Sequence, residues 1–373
     1  MIFVDNLGFV QGLPWWTYHM PREANGMTYV DMVFPAFLFL MGMSLPVAIG
    51  GWTAKGVTKT KIWRHIVLRS LSLVALGLFI ANDPLVDAQH TGISAEWWAI
   101  LGFLGIGLAC SRYPAQRTHP ILAAVLKYGG IVLLIGLAVI FRRMPPDGQV
   151  AWLDFSDWEI LGLLGWAYLA VAAIYLLFEK KIAVLLSAFA VLVAINALSV
   201  AGRLSWLNPL PPYLKPFEAG LTSITMAGLL ASLLIVGNKI APSLREKVPW
   251  TLICSAILFA AGWVLRPLGI SKIRDTPTWC LYCISANLLI ALLLYWIADM
   301  KRWRHWASFT RPVGANPLLS YLLPYVAYFN SRLGRLTADG TSGWPGVAKS
   351  LFFTMLILAT VTLLDRSRIK LRL

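Results

Sequence analysis

Residues 30–52 read VDMVFPAFLFLMGMSLPVAIGGW, a run whose only charged residue is Asp31 in its first turn. About 20 apolar residues in a helix match the thickness of the hydrocarbon core of a bilayer. The run therefore predicts a membrane-spanning helix. An acidic side chain at its start is favoured by the unpaired amides and the positive end of the helix.

The whole chain shares this character. Of its 373 residues, 58% are hydrophobic and 13% are charged, and the mean hydropathy is +0.69. These values exclude an ordinary soluble enzyme. At about 20 residues per crossing, the length allows roughly a dozen crossings and leaves no room for a large extramembrane domain.

Eleven apolar runs are separated by short polar connections, so we predict an all-α, polytopic bundle of transmembrane helices that forms one domain, 1–373. The predicted spans are Val30–Trp52, His65–Ala81, Trp97–Cys110, Ile121–Phe141, Trp158–Phe178, Ala183–Val200, Phe217–Gly237, Trp250–Leu268, Trp279–Asp299, Pro312–Asn330 and Val347–Leu364. Ahead of them, Met1–Val10 is too short to cross a bilayer. It is typical either of a truncated first helix or of a re-entrant stub covered by other helices.

The formal net charge is +15. Basic loops of a multi-pass protein account for it better than nucleic-acid binding, which we do not expect. One alternate set of connections, which includes the C-terminal tail, carries 19 Lys and Arg, and the opposite set carries 9. Because the excess marks the cytoplasmic side, we predict a cytoplasmic C-terminus and an outward-facing segment 11–29.

Segment 11–29 crowds His19 among aromatic and charged residues and runs directly into the helix that starts near Asp31. Its motif resembles that of the membrane acetyltransferase family typified by heparan-alpha-glucosaminide N-acetyltransferase, which has many bacterial relatives. The matching residues are His19, Asn25-Gly26, Thr28, Asp31-Met32-Val33-Phe34-Pro35, Phe37-Leu38-Phe39 and Gly42-Met43-Ser44. Three other segments are similar to family motifs, namely Val4-Asp5-Asn6-Leu7-Gly8, Ser271-Lys272 with Trp279, and Gly314-Ala315-Asn316-Pro317-Leu318.

The resemblance implies a multi-pass protein of a bacterial plasma membrane. It would move an acetyl group from cytoplasmic acetyl-CoA, a co-substrate, to an amino sugar or other glycan acceptor outside. His19 would be the catalytic residue, as a general base or as a transient acetyl carrier, because imidazole titrates near neutrality and can act as a nucleophile. Asp31 could fix its tautomer, and Asn6 or Asn25 could donate to the acetyl carbonyl.

Two of these residues have simpler interpretations. His19 could belong to an interfacial aromatic belt with Trp15, Trp16 and Tyr18. Asp31 could be only a helix cap. Both alternatives stay open at the level of sequence.

Donor binding is assigned to Arg69, Asn316 and Lys272. Arg69 would form a basic face with Arg64 and His65 near the cytoplasmic entrance, where the CoA phosphates must dock, unless it only snorkels to the interface. Asn316 and Lys272 come from motifs that resemble the family. Lys272 could otherwise meet an acidic sugar polymer or anchor the chain at the interface.

A different class of function is a secondary transporter or a flippase for a sugar or lipid-linked substrate, which about twelve helices with prolines and scattered charges would also fit. A third possibility is that the chain is a non-catalytic remnant of such an enzyme. We predict no metal site, and we interpret Cys280 and Cys283 as membrane cysteines rather than a redox pair. We expect membrane lipid as a partner, and the sequence leaves open whether the chain forms a homodimer.

Overall fold

The computed structural model describes residues 1–111, 113, 119–146, 148–178, 181–205, 219–237, 244–328, 333–367 and 370–371. This part of the chain is all-α and contains no β-strand, as predicted. Its α-helices are α1 (Ile2–Leu7), α2 (Val33–Ala54), α3 (Lys59–Asn82), α4 (Ala88–Thr91), α5 (Ala95–Cys110), α6 (Pro120–Ile140), α7 (Glu159–Phe178), α8 (Ile182–Val200), α9 (Ala219–Ala231), α10 (Leu244–Val264), α11 (Pro277–Tyr295), α12 (Arg311–Ala315), α13 (Pro317–Tyr328) and α14 (Gly343–Arg366).

Within the described ranges, nine helices are long and apolar enough to cross a membrane. They correspond to nine of the eleven predicted spans, which confirms the polytopic helical fold. The other two predicted spans form helices that are shorter than these nine. α5 has 16 residues, and the run predicted from Pro312 divides into α12 and α13, the latter with 12 residues. The predicted ends at Phe217 and Asn330 lie outside the described residues.

The break between α12 and α13 falls at Asn316, whose backbone leaves the helical region with φ −134° and ψ 59°. Pro317 follows as the first residue of α13. Proline suits a first helical position because its missing N–H would have no partner there. An apolar run of the right length is thus divided by local backbone chemistry that its hydropathy does not reveal.

The residues form two compact units. Unit 1 comprises Met1–Trp15, Ala75–Glu159 and His305–Leu373, and unit 2 comprises Trp16–Val74 and Ile160–Arg304. In unit 1, α5 packs on α6, and α14 packs on α1, α12 and α13. In unit 2, α9 packs on α2, α8 and α11, and α10 packs on α11. The expectation of one domain over 1–373 stays a prediction.

Helix α9 is the centre of unit 2. Almost all of its residues are buried, and none of them is charged, as expected for a helix in the interior of a bundle. Its closest neighbour is α2, and the two backbones meet at Gly42 and Gly228. A Cβ atom on Gly42 would overlap the carbonyl oxygen of Thr225, and one on Gly228 would overlap that of Phe39. Small residues allow such close approach between membrane helices. The crossing holds the helix that directly follows Asp31, which lies in the 3₁₀ turn Val30–Met32.

Candidate active site

The predicted pair of His19 and Asp31 is present in unit 2. His19 Nδ1 lies 2.7 Å from Asp31 Oδ1. The Asp31 side chain is 1% exposed, whereas that of His19 is 46% exposed. The carboxylate therefore lies under the imidazole, and the imidazole reaches the surface.

Hydrogen bonds from the preceding loop fix the Asp31 carboxylate. Its Oδ2 accepts from the Thr28 backbone N–H at 2.9 Å and more weakly from the Met20 N–H at 3.4 Å. The Thr28 hydroxyl in turn donates to the Tyr18 carbonyl at 2.8 Å. These partners all precede Asp31 in the chain, so the carboxylate braces the loop that carries His19 rather than capping the first turn of α2.

This geometry sets the protonation pattern of a neutral His19. Because the acceptor Asp31 faces Nδ1, we assign the proton to Nδ1, which leaves the lone pair on Nε2. A carboxylate that holds the imidazole in this tautomer is the arrangement of a catalytic triad. Nε2 is then the atom available to take a proton or to attack a carbonyl carbon.

A second loop, residues 269–276, lies against the His19 loop. The Asn25 side-chain oxygen accepts from the Ile270 N–H at 2.8 Å, and the Gly26 N–H donates to the Ile270 carbonyl at 2.9 Å. These two bonds clamp residues that are about 245 positions apart. The structure therefore shows Asn25 holding the two loops together, and its predicted contact with an acetyl carbonyl stays a prediction.

The clamp places Lys272 beside His19. Lys272 Nζ lies 3.3 Å from His19 Nε2 and 3.4 Å from Nδ1. A group on the axis of the Nε2 lone pair would be much farther from Nδ1 than from Nε2. The nearly equal distances therefore place the ammonium to the side of that axis, next to the atom that would react.

The Lys272 turn is closed by its own hydrogen bonds. The Ser271 N–H donates to the Thr276 hydroxyl at 2.9 Å, and the Thr276 N–H donates to the Ser271 carbonyl at 3.1 Å. Asp275, at φ +47°, is buried below the turn, where its carboxylate accepts from the Cys280 thiol at 3.3 Å. Cys283 is also buried, and neither cysteine forms a disulfide within the described residues. The two cysteines thus lie in the core behind the site.

Trp279 connects the segment that contains Lys272 to the motif of His19 and Asp31 at a second point. Its indole N–H donates to the Asp31 carbonyl at 3.3 Å, and the residue is completely buried. Sequence reasoning named Trp279 and Thr28 as parts of motifs but gave neither a role. Both residues donate to Asp31. Their place in the motifs was the signal that could have indicated this supporting role.

Arg69 lies elsewhere in unit 2, on α3. Its guanidinium lies 5.1 Å from the centroid of the Tyr168 ring, and His65, one turn earlier, packs edge-on against Trp52 at 4.7 Å between ring centroids. In the described part of the chain, Arg69 forms no ion pair. A half-buried guanidinium of this kind suits an anionic ligand.

Asn6 and Asn316 belong to unit 1, and both are buried. The Asn6 side-chain oxygen accepts from the Ala338 N–H at 3.0 Å. The Asn316 side-chain oxygen accepts from the Leu371 N–H at 3.2 Å. These contacts attach distant backbone segments within unit 1. The predicted roles of Asn6 at the acetyl carbonyl and of Asn316 at the donor stay predictions.

The described part of the chain is thus a multi-helix membrane protein. It carries a His–Asp dyad just before α2 and a lysine next to the histidine. Over residues 1–208, the chain matches the family described as a domain of unknown function (DUF5009). Because the match covers more than half of the 373 residues, the chain belongs to this family.

Two curated proteins are similar over a short segment. The chain is 37% identical over 82 residues to heparan-alpha-glucosaminide N-acetyltransferase of Mus musculus and 34% identical over 82 residues to that of Homo sapiens. The segment is 22% of this chain and 12% of each relative. The chain therefore matches only about an eighth of the length of these relatives.

Proposed function

We propose that this protein is a transmembrane acetyltransferase that moves an acetyl group from cytoplasmic acetyl-CoA to an amine or hydroxyl of a glycan acceptor on the outer side. The observation that carries this proposal is the bond from His19 to the buried Asp31, which orients a reactive nitrogen toward the surface. The similarity to two N-acetyltransferases supports acetyl transfer as the reaction.

Two routes use this nitrogen. In direct transfer, the acceptor amine attacks the thioester carbonyl carbon, His19 Nε2 takes the amine proton, and the C–S bond breaks as the CoA thiolate leaves with its electron pair. In the two-step route, Nε2 itself attacks and carries the acetyl group until the acceptor displaces it. Asp31 holds the same tautomer in both routes.

The charge asymmetry of the connections supports a transfer across the membrane. This asymmetry assigns His19 to the outer face. It assigns Arg69 and the basic turn before α3 to the cytoplasmic side. An acceptor outside would then reach the imidazole directly, while the phosphates of CoA would meet basic residues inside. We propose a cytoplasmic C-terminus on the same basis.

The test is transfer from acetyl-CoA, labelled in its acetyl group, by the purified full chain in detergent. Glucosamine and a glucosamine-terminated oligosaccharide serve as amine acceptors, and glucose serves as the acceptor without an amine. We expect labelled product with the amines and little with glucose. Uptake of a sugar into vesicles without any acetyl transfer would instead identify a transporter and contradict the proposal.

Arg69→Met should weaken acetyl-CoA binding. A hydrogen bond to a charged group contributes about 1.5–3 kcal/mol, so we expect Kd to rise roughly tenfold to a hundredfold. Titration calorimetry with acetyl-CoA and free CoA measures this change. Arg245→Met is the matched control because Arg245 is an exposed arginine on α10, outside α3 and the basic turn before it. Equal affinities of the Arg69→Met variant and the unmodified protein would return Arg69 to a structural role.

A further inference from the structure

We propose that Lys272 is a catalytic residue whose ammonium binds the carbonyl oxygen of the acetyl group and stabilises the oxyanion of the tetrahedral intermediate. The proposal rests on the acetyl transfer proposed above and gives that site an electrophilic group. The sequence motif assigns Lys272 to donor binding only, with no connection to His19.

Distance supports this role. The ammonium lies 3.3 Å from Nε2 and to the side of its lone pair, so it leaves the direction of attack open. When Nε2 lies opposite a carbonyl carbon, the carbonyl oxygen extends to the side of the attack axis. Lys272 is on the loop that borders this space, where an oxyanion donor would have to lie.

The step balances with Lys272 protonated throughout. As the nucleophile adds to the carbonyl carbon, the π electron pair of the C=O bond moves to oxygen, and the resulting negative charge develops beside the ammonium. Collapse of the intermediate returns the pair to the C=O bond and expels the CoA thiolate. Lys272 neither gains nor loses a proton, and it acts identically whether the nucleophile is His19 or the acceptor.

The site is organised before substrate binds. The turn that carries Lys272 is held by the bonds between Ser271 and Thr276, by the Asn25 clamp and by the Asn196 side chain, which donates to the Asp275 carbonyl at 2.9 Å. A charged donor fixed in advance avoids reorganisation at the moment of reaction, and this is what makes oxyanion stabilisation effective. A lysine that only anchors the chain at a membrane interface would not need such bracing.

The experiment compares Lys272→Met, Lys272→Arg and Arg274→Met in the full-length protein. Arg274 is the matched control because it is an exposed cation on the same turn. For Lys272→Met we expect kcat to fall about 10²–10³-fold with little change in acetyl-CoA affinity. Lys272→Arg should recover part of kcat because it keeps the charge, and Arg274→Met should match the unmodified protein.

A spectroscopic signature separates this role from a structural one. Infrared difference spectra of bound acetyl-CoA, with and without carbonyl ¹³C, report how strongly the carbonyl is polarised. We expect a lowered stretching frequency on the unmodified protein and a return toward the free value on Lys272→Met. A Lys272→Met variant with unchanged kcat would overturn the proposal, whether its donor binding is unchanged or weaker. The proposal of acetyl transfer would then still stand. Failure of the unmodified protein to bind or transfer would overturn both.

Discussion

His19→Ala is expected to reduce acetyl transfer by about 10³-fold or more while acetyl-CoA binding stays nearly unchanged. The variant removes the only nitrogen that the His19–Asp31 bond orients, and loss of a base or nucleophile within a triad-like unit has effects of this size. Donor affinity should persist because the proposed phosphate contacts are on α3. Transfer rate and donor Kd, measured on the same preparation, check both halves of the expectation.

Two companion variants sharpen this test. Asp31→Asn should also lose most of the activity, because an amide can hold the imidazole in the wrong tautomer. His90→Ala is the matched control: His90 Nδ1 lies 2.6 Å from Asp87 Oδ2, and this hydrogen bond lowers the pKa of Asp87, yet the pair is on the surface of unit 1. We expect His90→Ala to behave as the unmodified protein.

Imidazole added to His19→Ala offers a further check. A small base that enters the space left by the side chain should restore part of the transfer, whereas a variant that has misfolded would not respond. If His19→Ala kept its turnover, the catalytic assignment of the dyad would be wrong, whatever the behaviour of Lys272.

Gly42→Ala is expected to destabilise the protein by roughly 3 kcal/mol or more. The added methyl group would overlap the Thr225 carbonyl and lie 2.9 Å from the Leu229 nitrogen. These are backbone atoms that cannot rotate away, so α2 and α9 must separate, and overpacking of this kind is costly. Gly42→Val should leave little folded protein. Thermal unfolding in detergent, monitored by size exclusion, measures the loss.

Gly50→Ala, on the same helix, is the matched control. A Cβ at Gly50 would meet nothing within 4 Å. Since alanine is favoured over glycine in a helix interior by about 0.5–1 kcal/mol, this variant should be neutral or slightly more stable. Equal stability of the Gly42→Ala and Gly50→Ala variants would show that the tight crossing is not needed for folding.

Much of the fold follows from hydropathy. In the ranges that the structure describes, nine long apolar runs form helices because, without water, a backbone must satisfy its hydrogen bonds internally. Helix ends were harder to predict. α3 begins at Lys59, six residues before its predicted start, because its first turns are polar although helical. The division at Asn316 depends on one residue's backbone angles, which hydropathy does not report.

The candidate site shows the same contrast between local and distant contacts. His19 and Asp31 are 12 positions apart and share one motif, so their pairing was predictable. Lys272 is 253 positions from His19, and no periodicity links the two loops. The Asn25 and Gly26 bonds to Ile270 bring them together. A hydrogen-bond clamp of this kind leaves no pattern in the sequence beyond the residues themselves.

The clamp between Asn25 and Ile270 also constrains when the two loops can meet during synthesis of the chain. Ribosomes release the chain from its N-terminus, so His19 and Asp31 emerge before α3 to α10. Ile270 and Lys272 emerge much later, after some 250 further residues. A nascent chain therefore carries His19 and Asp31 before the loop with Lys272 exists, and the clamp can form only after residue 270 has been synthesised.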